Sequence, residues 1–212
     1  MERERVKFSD YANRIIQTAE RTCFNYHDHH ATTSTFDPQV LLIGEIHPQI
    51  NSLTEEIDHK RTLKVPQNRK DTRTIINAAS VDNLVILLEG YSENSLSTPR
   101  EYFLLGFEDK IKYNDNEQVV EDLHKIRDNW NNGEDPEKRQ KRIEYLVNLR
   151  SLNFAQSIIE NVNRGHKIVQ LVGAYHVPFI ERHLKKNNVS YLSFIQDQKT
   201  NAQNKMVNLN HL

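Results

Sequence analysis

Three runs of apolar residues stand out from an otherwise polar chain, and each leads into residues able to carry chemistry. Val40-Leu41-Leu42-Ile43 runs into Gly44, Glu45, Ile46 and His47. Leu84–Leu88 runs into Glu89 and Gly90, and Ile168–Val172 into Gly173, Ala174, Tyr175 and His176. Short continuous apolar runs predict strands buried on both faces, as in a parallel sheet covered by helices. A fourth run, Tyr191, Leu192, Phe194 and Ile195, predicts a last strand.

The spacing between these runs changes to a helical one. Val6, Phe8, Tyr11, Ile15, Ile16 and Ala19 predict an amphipathic N-terminal helix within residues 1–24, packed outside the sheet. Residues 49–60 and 71–80 are read as helices joined by the Pro66-bearing stretch Lys64–Lys70. Val119, Val120, Leu123 and Ile126 mark another helix, and a short one starts at Pro99. Asp135-Pro136 opens a long helix that stops near Gly165, and Val177–Lys186 forms the next, with Pro178 in its first turn. Residues 25–37 are read as a solvated turn, although they hold His27, Asp28, His29 and His30. These four are consecutive, which works against convergence on one metal ion. The tail from Gln196 is polar and Asn-rich and is expected to be partly disordered.

The alternation of strand and helix predicts an α/β fold. We expect a single domain over residues 1–212, with a mainly parallel central sheet flanked by helices and a site at the carboxyl ends of the strands. Residues 91–135 follow a candidate catalytic strand and are read either as a lid or as a solvated excursion.

Composition narrows the function classes. Of the 212 residues, 28 are Lys or Arg and 29 are Asp or Glu, a net charge of −1, so no basic field points to nucleic acid. No apolar run approaches the roughly 20 residues that span a bilayer. The lone Cys23 cannot form an internal disulfide and lies in no setting that would activate it as a nucleophile. No secretory signal is visible behind Met1-Glu2-Arg3-Glu4-Arg5, which fits a cytoplasmic protein or one exported without a cleavable signal.

The candidate chemistry lies at the strand ends. Glu45 and His47 are two residues apart, so an extended segment places them on one side. If the strand ends are neighbours, Glu89 and His176 join them. Arg150 falls within the apolar stripe of the long helix, four residues from Leu146 and from Phe154. Either it meets an anionic partner, with Glu45 and Glu89 the candidates, or it snorkels to solvent. Two chemistries are open. His47, His176 and Glu89 are suited to hold a divalent ion (zinc, manganese or cobalt) that acidifies a bound water. Alternatively, a glutamate–histidine pair activates water directly while Arg150 stabilises developing negative charge.

Four motifs in order resemble the Tiki/TraB, erythromycin-esterase and ChaN-like superfamily, across about residues 40–180. They are Leu42-Ile43-Gly44-Glu45-Ile46-His47, Leu87-Leu88-Glu89-Gly90, Arg150-x-x-Asn153-Phe154-Ala155 and Leu171-Val172-Gly173-Ala174-Tyr175-His176-Val177. That group includes metal-dependent proteases, lactone-opening esterases, haem-binding proteins and Ras-directed endopeptidase domains of bacterial toxins. The resemblance implies a hydrolase of an amide or ester bond, acting on a peptide, a protein or a small ester. Glu45 would be the general base, with His47, Glu89, His176 and Arg150 completing the site and Tyr91, Asn153 and Tyr175 contacting substrate. It equally implies two rivals. One is a haem-binding protein ligated through His47, His176, Tyr91 or Tyr175. The other is a non-catalytic bacterial effector. The helix motif departs from many relatives in carrying Ser151 where they have aspartate.

Overall fold

The computed structural model describes residues 7–45, 65–89, 104, 106–128 and 135–196. The chain runs β1 (Lys7–Phe8), α1 (Asp10–Ala19), β2 (Phe24–His30), β3 (Thr35–Phe36), β4 (Val40–Glu45), α2 (Val65–Ala78) and β5 (Leu84–Leu88). It continues through a 3₁₀ turn to β6 (Ile111–Tyr113), α3 (Glu117–Asp128), α4 (Pro136–Asn163) and β7 (Lys167–Gly173). A second 3₁₀ turn (Ala174–His176) leads to α5 (Val177–Lys186) and β8 (Tyr191–Gln196). Six strands form one sheet in the order β2-β8-β4-β7-β5-β6, and β1 pairs with β3 separately. Only β2 runs antiparallel within the larger sheet. The expected α/β fold with a mainly parallel sheet is therefore present.

The continuous apolar runs fill two cores at once. Leu41 and Ile43 of β4, Leu84, Ile86 and Leu88 of β5, and Val169 and Leu171 of β7 face one way. They meet Ala12 and Ile15 of α1 and Ile75 and Ile76 of α2. The alternate residues Val40, Leu42, Val85, Leu87, Ile168 and Val172 meet Phe154 and Ile158 of α4 and Ile180 and Leu184 of α5. Strand periodicity of two forces this division. Each fully buried Leu or Ile contributes about 1.5–3 kcal/mol. The helix ends follow local chemistry. The Ser9 hydroxyl caps α1 by accepting from Ala12 N–H at 3.1 Å. The Asp135 carboxylate accepts from Glu137 N–H at 2.7 Å at the start of α4, and Gly165 takes φ +85° just past its end.

Several elements differ from the sequence reading. Residues 24–30 are a strand, not a solvated loop. They pair with β8 at the sheet edge, with the register broken between Tyr26 and Asp28. A polar edge strand has no apolar run to reveal it. The N-terminal helix is confined to Asp10–Ala19, because Lys7–Phe8 extend to pair with Thr35–Phe36. Pro66 lies in the first turn of α2 and not in a linker, where its missing N–H leaves no bond unmade. Part of the 91–135 stretch belongs to the sheet, since β6 pairs with β5. The helices expected at 49–60 and from Pro99, and the tail beyond Gln196, lie outside the described residues, as do His47 and Tyr91. No helix among the described residues is long and apolar enough to cross a membrane.

Candidate active site

β4 and β5 are consecutive among the parallel strands but not adjacent; the later strand β7 lies between them. The three strand ends therefore fall in a row. Glu45 is in register with Gly173, and Glu89 N–H donates to Leu171 O at 3.2 Å. Gly44 allows the turn bearing His176 to settle on β4. A Cβ there would stand 2.8 Å from Val177 Cγ2 and 3.0 Å from the Ala174 Cα. A larger residue would push the turn away.

A charged cluster occupies the α4 side of this row. Arg150 Nη2 donates to Glu89 Oε1 at 2.6 Å, and Arg150 Nε reaches both Asp115 oxygens at 3.1 Å. Nη2 also meets Asp115 Oδ2 in a close ion pair. The Asp115 side chain is fully enclosed, while those of Arg150 and Glu89 are 14% exposed. Burial works against the Arg150 charge, but the Asp115 hydrogen bonds and the charges of Glu89 and Asp115 outweigh it and raise its pKa above the ordinary value. The expectation of an anionic partner is met by Glu89 together with Asp115, which the sequence reading missed. The other Glu89 oxygen accepts from Gly173 N–H at 2.8 Å. Arg150 thus grips Glu89, and Glu89 grips the residue that starts the His176 turn.

The same helix reaches His176 one residue later. Ser151 Oγ lies 2.7 Å from His176 Nδ1, and both residues are buried. The Phe154 ring meets the imidazole edge-on, at 5.2 Å between centroids and 89° between planes. Arg150 Cζ sits 5.7 Å from the centre of that phenyl ring. Helical spacing brings Arg150, Ser151 and Phe154 to one face of α4.

Glu45 is held differently. Its Oε1 accepts from Thr72 Oγ1 of α2 at 3.0 Å, on the face of the sheet opposite α4. The strand ends thus place Glu45 beside Gly173 along the row but anchor it from the other layer. Tyr175 is 76% exposed in the middle of the turn, and Asn153 is half-buried on α4. Among the described residues, no three His, Cys, Asp or Glu side chains are grouped to hold a metal ion. The third expected ligand, His47, is not among them.

Asp115 and Ser151 left different traces in the sequence. Asp115 follows a strand of only three residues, too short for an apolar run to announce it. Ser151 stands inside a quoted motif, but only the fold sets it against His176. A further sign was Gln170, which interrupts an apolar run and is wholly buried. Its Oε1 accepts from Asn114 Nδ2 at 2.6 Å, tying β7 to the end of β6 across β5. Comparison with protein-family models, with curated proteins and with solved structures gives no match for this chain.

Proposed function

We propose that the protein hydrolyses an amide or ester bond at the carboxyl ends of β4, β5 and β7, as its resemblance to the Tiki and erythromycin-esterase group implies. The observation that carries this reading is the Ser151-held His176 beside the Arg150–Glu89 pair, one strand from the Glu45 carboxylate. Buried polar groups so arranged, at the strand ends of an α/β sheet, are the ordinary setting of a reactive site.

In this reading Glu45 takes a proton from water as the water oxygen bonds to the carbonyl carbon. When the tetrahedral adduct collapses, the C–N or C–O bond breaks and the proton passes to the departing nitrogen or oxygen. His176 orients the water, and His47 joins it through the Gly-Glu-x-His motif. Arg150 has a different role from the one the sequence suggested. Its Nε and Nη2 are given to Asp115 and Glu89, so it acts by fixing Glu89 and, through Gly173, the turn. Tyr175, Asn153 and Tyr91 remain the proposed substrate contacts. The metal-assisted variant would take Glu89 as a ligand with His47 and His176, and the hydrogen bonds from Arg150 and Gly173 would then orient that carboxylate.

The test is turnover of a peptide and activated-ester panel by wild type and Glu45→Gln. The expected result is measurable hydrolysis that falls about 10²–10⁴-fold in the variant with the fold unchanged. A Soret band on haem titration with no hydrolysis would overturn the reading in favour of haem binding.

A further inference from the structure

We propose that Ser151 is a positioning residue that holds the neutral His176 ring as its Nδ1–H tautomer, making Nε2 the basic nitrogen. Ser151 Oγ has one hydrogen and two close partners. It lies 2.9 Å from Val147 O, which can only accept, and 2.7 Å from His176 Nδ1. Both contacts are satisfied at once in a single arrangement: the hydroxyl donates to Val147 O, and Nδ1–H donates to the hydroxyl oxygen. With the reverse tautomer the hydroxyl could serve one acceptor and would face the other oxygen or nitrogen lone pair to lone pair.

Burial makes the choice binding, because Ser151 is 1% and His176 5% exposed and little water is at hand to replace a lost partner. The edge-on Phe154 ring fixes the imidazole plane, so the ring meets Ser151 through one nitrogen. The Arg150–Glu89–Gly173 chain holds the other end of the turn. α4 therefore sets both the position of His176 and which of its nitrogens is basic.

In the proposed reaction the attacking water would donate a hydrogen bond to Nε2. That consequence rests on the hydrolytic reading; the tautomer does not. The test is nitrogen NMR of the full chain labelled in its histidine rings, at a pH where the rings are neutral. The His176 signals are those absent from His176→Asn. The expected spectrum shows a protonated Nδ1 and an unprotonated Nε2 in wild type. Ser151→Thr keeps this pattern, and Ser151→Ala shifts it toward Nε2–H. If Ser151→Ala does not fold, Ser151→Cys, a weaker acceptor of similar size, is expected to give a mixed pattern. An unprotonated Nδ1 in wild type, or a wild-type pattern in Ser151→Ala or Ser151→Cys, would overturn the proposal. In an active protein, Ser151→Ala lowers kcat about 10–100-fold with KM held. A failure of hydrolysis leaves the spectrum readable, so the two claims fail separately.

Discussion

The two faces of the central sheet are built from the same apolar strands but differ in what interrupts them. On the α1 and α2 face the strand centres are apolar, and Glu45 with its Thr72 partner stands at the strand end. On the α4 and α5 face, wholly buried Gln170 and Ser193 sit within the strands, and the enclosed Arg150–Asp115 pair lies over their ends. Buried polar groups cost stability unless paired, and an apolar residue of similar size would often serve as well. A core needs only the first kind of face. We read the second kind as the face that positions His176.

That face itself holds two polar groups of different character. Near β2, Ser193 Oγ donates to Glu181, His27 Nδ1 lies 2.8 Å from the same carboxylate oxygen, and Tyr191 donates to Asp28 at 2.7 Å. This group ties the edge strand and α5 to the sheet. The Arg150 group ties together three strand ends and the turn before α5. The first secures an edge, and the second fixes the geometry of the candidate site.

The largest expected effect separates the faces by pairing two costly substitutions. Arg150→Met leaves Asp115 and Glu89 without their cation and is expected to destabilise by about 3–5 kcal/mol, with hydrolysis abolished. Ile15→Ala, in the apolar core under α1, costs about 2–5 kcal/mol but leaves kcat unchanged while the protein is folded. Denaturant midpoints and turnover below the unfolding transition check both. Equal loss of turnover in the two variants would erase the distinction. Gly44→Ala comes next. Its contacts with Val177 and Ala174 predict about 1–3 kcal/mol of destabilisation and a displaced His176 turn, read from stability and from the His176 ring signals.

The smallest effect belongs to the edge strand. Burial first, then Lys185, hold the His30 pKa below its ordinary 6.5, and His30 Nε2 has no hydrogen-bond partner among the described residues. The unfolded chain therefore takes up this proton before the folded one does. Stability is full above the unfolded pKa and declines as pH falls below about 6.5. Unfolding midpoints between neutral and mildly acidic pH are expected to fall less steeply in His30→Gln. His183, also shifted down by burial and by Lys186, keeps part of the slope.

Most of the parallel sheet was legible because strands buried on both faces must be continuously apolar, as β4, β5 and β8 are in large part. β2 was not, since an edge strand with a solvated side can be built from Asn25, Tyr26 and histidines. The candidate site was legible in its charged members. Glu89 and His176 were marked by following apolar runs, and Arg150 by interrupting an apolar stripe. Asp115 and Ser151 were hidden because their significance is a contact across 35 and 25 residues of chain, which no local pattern encodes. The order of the strands was hidden for the same reason: β7 enters between β4 and β5 only in three dimensions.

We propose that the α4 face of the strand ends serves chemistry alongside Glu45, and His176→Asn is the decisive variant. Turnover and the denaturant midpoint would be measured on the same preparation. The predicted result is a loss of about 10²–10⁴-fold in kcat with the cooperative fold retained. Undiminished turnover, or a turnover that falls only in step with the unfolded fraction, would contradict it.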